Sequence, residues 1–125
     1  TDSRFNRMQL GDHDLAACAD FTLLRGAVDV AAALEVETRV AHVFSTDCFY
    51  DGAPGLHEHL RRHRICGIEM ETAGLYGLAM REGVQALAIL AVSDHLDRHE
   101  QMSAAERERG LAQVARLALT VCASN

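Results

Sequence analysis

Ile68-Glu69-Met70-Glu71-Thr72-Ala73-Gly74 runs a short apolar strand into two carboxylates that flank a methionine, and the small residues after them open a helix. The helix is predicted over Thr72 to Glu82, with Gly83 as its C-terminal cap. Upstream, Ile65 to Met70 reads as a brief buried strand, preceded by a short charged helix over Leu56 to Arg64. Downstream, the nearly continuous apolar run Gln85 to Ser93 is predicted to be a strand buried on both faces, as in a parallel or mixed sheet covered by helices. It ends on Ser93-Asp94-His95. A capping box, Ser103-Ala104-Ala105-Glu106, then opens a helix running to about Cys122, with Leu111, Val114, Ala115, Ala118 and Val121 on one face.

The rest of the chain extends the same alternation. Asp12 to Leu34 reads as helical, with Leu23, Leu24, Ala27, Val28, Ala31 and Leu34 at helical spacing and Asp20 as an N-cap for its later part. Thr38 to Phe44 reads as a strand, and Ser45 to Pro54 as a loop. Strands alternating with helices define an α/β architecture. Three good strands are few for a doubly wound sheet, and the chain begins at Thr1 without an initiator methionine, so part of a longer domain is expected to be missing.

Composition narrows the function classes. The chain has 125 residues, 49% apolar and 24% charged, which are the proportions of an ordinary globular domain. No apolar run approaches the ~20 residues of a membrane span, and the start has no signal-peptide pattern. The net charge of -6, without a basic stripe, argues against nucleic acid as a partner. Cys18, Cys48, Cys66 and Cys122 form no C-x-x-C pair and are expected to be reduced thiols of a cytosolic protein; the apolar surroundings of Cys18, Cys66 and Cys122 predict burial.

Several residues could carry chemistry. Asp94, at the carboxyl end of the most apolar predicted strand, suits a general acid or a ligand anchor; it equally suits a turn. Glu69 and Glu71 are expected to point different ways, so that one can face a pocket while the other pairs elsewhere. A carboxylate in a pocket suits the two donors of a sugar diol, but both glutamates also suit a helix start. Arg107, in the first turn of the last helix, opposes the helix dipole; it is either a site residue or a solvated arginine among charged neighbours. Acid, acid and arginine are expected to wall one pocket. His59 and His63 have metal-compatible spacing, although a solvated helix explains them as well. Ser45 and Ser93 lack a nucleophile-elbow context, and the glycines form no phosphate loop.

Taken together, Asp14-Leu15-Ala16-Ala17-Cys18-Ala19-Asp20-Phe21, Val43-Phe44-Ser45-Thr46-Asp47-Cys48-Phe49-Tyr50, Gly67 to Gly77, Ala86 to His95 and Ala104-Ala105-Glu106-Arg107 resemble the bacterial hexameric (DeoD-type) purine nucleoside phosphorylases. The uridine phosphorylases and the thioadenosine nucleosidases match less well. The resemblance implies that residues 1–125 are the C-terminal part of a three-layer α/β/α domain with a mixed sheet. It implies a pentosyltransferase that cleaves purine (deoxy)ribonucleosides, with inorganic phosphate as co-substrate, no cofactor and no metal. By the same resemblance, Phe49 stacks on the purine, Ile68 and Met70 line the base and sugar pocket, and Glu71 accepts from the ribose hydroxyls. Ser93 lies beside the base, Asp94 protonates purine N7, and Arg107 assists that proton transfer. The partners implied are a nucleoside, phosphate, and either further copies of the chain or a chain carrying the N-terminal half.

The resemblance also has gaps. The family's phosphate-binding glycine, arginines and serine, and the histidine and arginine donated by a neighbouring subunit, have no counterpart here. A usual Gly-Asn pair is replaced by Ala41-His42. This chain alone is therefore not expected to catalyse phosphorolysis. The competing expectation, of a different class, is a non-catalytic purine- or nucleoside-binding or assembly subunit on the same half-fold.

Overall fold

The computed structural model describes residues 1–48, 53–98 and 100–124. The α/β class predicted from the alternation holds. The elements in order are α1 (Arg4–Gln9), α2 (Phe21–Ala33), β1 (Val43–Ser45), α3 (Leu56–Arg62), β2 (Gly67–Glu69), α4 (Thr72–Glu82), β3 (Asp94–His95), β4 (Glu100–Gln101) and α5 (Ala104–Ser124). They fall into two compact units, residues 1–20 with 39–86 and residues 21–38 with 87–125.

In the first unit β1 and β2 pair in parallel, with Val43 opposite Gly67, Phe44 opposite Ile68 and Ser45 opposite Glu69. α4 follows β2 directly. Its buried residues Ala73, Tyr76 and Ala79 recur at three-residue spacing along one face, with Thr72 buried beside them at the helix start. Gly83, at φ 65°, ends it in the left-handed conformation that glycine adopts without steric cost, and the Val84 N–H returns to the Ala79 carbonyl at 3.0 Å. α1, which sequence periodicity does not reveal, packs on α4. Ser3 caps it, the Arg4 N–H is taken by Asp47 Oδ2 at 2.8 Å, and Asn6 is buried with its Nδ2 donating to the Ala73 carbonyl at 2.8 Å. Asn6 Oδ1 is buried without a partner among the described residues.

In the second unit α2 packs against α5 around Ala27, Ala31, Leu117 and Val121, with Leu23, Val30, Leu34, Val36, Leu87 and Ile89 half-buried around them. The two alanines of α2 let α5 approach closely. The capping box forms as predicted. The Ser103 N–H donates to Glu106 Oε2 at 2.8 Å and the Glu106 N–H to Ser103 Oγ at 3.3 Å. β3 and β4 form a short antiparallel hairpin.

Several sequence expectations are corrected. The first long helix begins at Phe21, not Asp12. Gly11 and Asp12 both have positive φ, and residues 15–19 alternate half-buried with exposed in the two-residue period of extended chain. The strand predicted over Thr38 to Phe44 is confined to Val43–Ser45, where ladder bonds exist. Gln85 to Ser93 is not in a sheet; strand conformation needs a neighbour to pair with, and no described segment forms a ladder along this run. On α5, Leu111 and Ala115 are exposed and Leu117 is buried, so the inward stripe is Val114, Leu117, Ala118 and Val121. On α2, Val28 is exposed. Cys18, Cys48, Cys66 and Cys122 are all exposed and unbridged. Cys18 and Cys66 occupy outward positions of alternating segments, and Cys122 lies one helical step off the inward Val121.

Candidate functional site

Extended backbone sends successive side chains to opposite faces, and β2 uses this unusually. Gly67 and Glu69 are half-buried, whereas Ile68 and Met70 are 36% and 38% exposed. A solvated strand would do the reverse. The inward carboxylate is matched by donors. Glu69 Oε2 accepts the backbone N–H of Glu71 at 2.9 Å and of Thr72 at 2.6 Å, and Ser45 Oγ donates to Glu69 Oε1. Ser45, itself buried, also accepts the Ala73 N–H at 2.8 Å. Three of the four N–H groups that α4 leaves without intrahelical partners at its start, those of Glu71, Thr72 and Ala73, are thus satisfied. Burial by itself raises the Glu69 carboxyl, but the hydrogen bonds from Ser45, Thr72 and Glu71 outweigh it and hold the group below its ordinary value.

Of the two glutamates, Glu69 is therefore the one that pairs within the fold. Glu71 is exposed, and its carboxylate has no hydrogen-bond or ion-pair partner among the described residues; its carbonyl accepts the Leu75 N–H at 2.9 Å. The first unit thus brings Ile68, Met70 and Glu71 together on the exposed side of the β2–α4 junction. Phe49 lies outside the described residues.

Because the folded Glu69 is the stronger acid, its contribution to stability is present in full above the ordinary glutamate value and is lost as pH falls through its lowered one. The stability gap between wild type and Glu69→Gln, measured by urea unfolding at pH 7 and then at stepwise lower pH below 4.5, is expected to shrink with acidification. A gap constant down to pH 3 would contradict this.

In the second unit Asp94 is not at the end of a long strand. It begins β3, opposite Gln101, and the Met102 N–H donates to the Ser93 carbonyl at 2.8 Å. The hairpin fixes Ser93 and Asp94 side by side, with Ser93 Oγ donating to Asp94 Oδ2 at 2.5 Å. Both are exposed. Arg107 follows the capping box, its N–H donating to the Ser103 carbonyl at 3.0 Å. Its exposed guanidinium has no partner among the described residues. On α3, His63 Nδ1 sits 2.8 Å from the His59 carbonyl, which commits that ring nitrogen to the backbone. Ser45 is the residue whose importance the sequence did not disclose. Only the pairing of Ser45 with Glu69 in register reveals it.

The signature of the phosphorylase superfamily matches residues 2–123. The chain belongs to the phosphorylase superfamily. A DeoD-type purine nucleoside phosphorylase of Xenorhabdus nematophila is 47% identical to it over 119 residues, covering 95% of this chain and 50% of that protein. Among solved structures, the purine nucleoside phosphorylase of Toxoplasma gondii in complex with immucillin-H matches with a TM-score of 0.82 at 20% identity, covering 98% of this chain and 51% of the other. The P. knowlesi homologue of the P. falciparum enzyme matches at 0.80 and 21%, covering 98% and 49%. The fold is thus that of a purine nucleoside phosphorylase over part of its length, and the chain spans about half the length of these relatives.

Proposed function

We propose that residues 1–125 are the C-terminal part of a purine nucleoside phosphorylase, a pentosyltransferase that converts a purine (deoxy)ribonucleoside and inorganic phosphate to free base and pentose 1-phosphate. The observation that carries this is the inverted strand β2: Ile68 and Met70 stand outward beside a Glu71 carboxylate without a partner among the described residues, while Glu69 is turned inward. Apolar surface next to an acceptor-only group suits a sugar that offers a carbon face and two hydroxyl donors.

The roles follow from the chemistry. Glu71 accepts from the 2′- and 3′-hydroxyls, while Ile68 and Met70 line the pocket of base and sugar. Phe49 stacks on the purine, a role assigned through the resemblance alone. Breaking the N-glycosidic bond leaves positive charge on the sugar and negative charge on the base. A proton delivered to purine N7 neutralises the departing base, and Asp94, held by Ser93, is the donor. Arg107 stabilises the carboxylate that remains. No cofactor is needed, because phosphate is the nucleophile.

The phosphate ligands are to be supplied by an N-terminal half, in the same or a companion polypeptide, and the working form is an oligomer or a complex of the two halves. Exposed Phe5, Met8, Leu75 and Leu78, and a β1–β2 sheet of two strands among the described residues, support association with further protein. No helix among the described residues is long and apolar enough to cross a membrane, and a cytoplasmic place belongs to the same proposal.

Inosine and adenosine phosphorolysis, followed by base release with and without the N-terminal half, tests this. Activity is expected only with both halves. Activity with neither arrangement removes the enzymatic function and leaves the binding-subunit alternative.

A further inference from the structure

We propose that Ser45 and Glu69 are positioning residues for the sugar site: together they fix the backbone from which the Glu71 carboxylate projects, and so set discrimination for ribose hydroxyls. This rests on the ribose role of Glu71 given above.

Glu71 sits at the first bend of α4, with φ −119° and ψ −28°, and no side-chain bond of its own holds it there. Its peptide is gripped from both sides instead. The N–H is bound by Glu69 Oε2 at 2.9 Å, and the carbonyl accepts the Leu75 N–H at 2.9 Å. The same Glu69 oxygen takes the next amide, Thr72, and Ser45 Oγ takes the one after, Ala73, at 2.8 Å while donating to Glu69 Oε1. Ser45 is 4% exposed and ends β1 opposite Glu69. Its hydroxyl is thus a rigid link between a strand end and a helix start.

The links are not interchangeable. Glu69 has an oxygen for each task, one toward the amides and one toward Ser45. Ser45 has one proton to give to Glu69 and a lone pair for Ala73. Removing the hydroxyl leaves the Ala73 N–H without its acceptor and lets the Glu69 carboxylate turn. The Glu71 carboxylate then loses its fixed origin, although no group that touches substrate has changed. Loss of pre-organisation of this kind weakens contacts to the ribose hydroxyls and leaves contacts to the base untouched.

The test compares the affinity for inosine with that for 2′,3′-dideoxyinosine, by calorimetry, on the form of the protein that is active in the phosphorolysis assay. Wild type is expected to prefer inosine, and Glu71→Gln to lose the preference. Ser45→Ala and Glu69→Ala are expected to cut the preference about tenfold, the equivalent of one charge-assisted hydrogen bond. Their affinity for dideoxyinosine should be unchanged, an asymmetry that a general loss of stability would not produce. Glu69→Gln keeps an acceptor for the two amides; it is expected to retain part of the preference and serves if Glu69→Ala does not fold. A preference abolished by Glu71→Gln but intact in the folded Ser45 and Glu69 variants overturns this proposal alone, as does equal weakening of both ligands. A wild type without preference, or without binding, overturns the ribose role and this proposal together.

Discussion

Asp94→Asn is expected to slow phosphorolysis of inosine by about 10²–10⁴-fold in kcat, with KM little changed. Asparagine keeps the shape of the side chain and can still accept from Ser93 Oγ, now 2.5 Å from the Asp94 carboxylate, so the hairpin is expected to survive. What it cannot do is deliver a proton to N7. A substrate that needs no such proton separates chemistry from structure. In 7-methylinosine the base already carries positive charge, and Asp94→Asn is expected to cleave it at close to the wild-type rate. Steady-state kinetics on both nucleosides, with both halves present, decide the matter. An unchanged rate on inosine would remove Asp94 as the acid, and an equal loss on both substrates would make its role structural.

Gly77→Ala is expected to destabilise the first unit by about 1–5 kcal/mol, although alanine is the better helix former by about 1 kcal/mol. A Cβ at position 77 would lie 2.2 Å from Asn6 Oδ1, 3.0 Å from Asn6 Cγ and 3.3 Å from Leu15 Cδ2. Asn6 cannot swing aside cheaply. It is 3% exposed, and its Nδ2 holds the Ala73 carbonyl at 2.8 Å. Moving it breaks that bond inside a packed interface, a cost of about 1–3 kcal/mol on top of the overpacking. The propensity gain is therefore overridden. The double variant Asn6→Ala, Gly77→Ala removes the obstacle together with a buried oxygen that has no partner among the described residues, and should recover part of the loss. Urea unfolding of the two single variants and the double variant checks this. A Gly77→Ala protein as stable as wild type would show that Asn6 is not held as described.

The parts of the fold that were legible from sequence are those governed by local chemistry. α4 is bounded where Thr72 and Gly83 place it, and Ser103 with Glu106 opens α5. The errors share a cause. Ala16-Ala17 favours helix, but positive φ at Gly11 and Asp12 and the tie of the Asp20 N–H to the Ala86 carbonyl at 2.9 Å keep that segment out of a helix. The run from Ala86 to Val92 has strand composition, yet pairing is a property of neighbours rather than of composition. α1 was missed because its six residues are too short for a periodic signal. In the candidate site, residues two apart share a face of an extended strand, so the divergence of Glu69 and Glu71 does not follow from spacing; the backbone turns helical at Glu71, with ψ −28°, and nothing local says which glutamate faces in. That choice is made by Ser45, 24 positions away, through a contact no local pattern encodes.

The inward turn of Glu69 has a consequence for strand alignment. A slip of β2 by one residue against β1 would bring Ile68 and Met70 inside and put Glu69 in water, and judged by apolar area alone the slipped sheet would be the better one. What forbids it is polar: the slipped chain would leave Ser45 without its carboxylate and the opening amides of α4 without an acceptor. A Glu69→Val chain would be the stronger strand by propensity and would lack the carboxylate that pairs with Ser45 and the opening amides of α4. The same carboxylate thus acts as an alignment pin, and the sequence spends hydrophobic burial at Ile68 and Met70 to keep a surface that the aligned strand presents and the slipped strand hides.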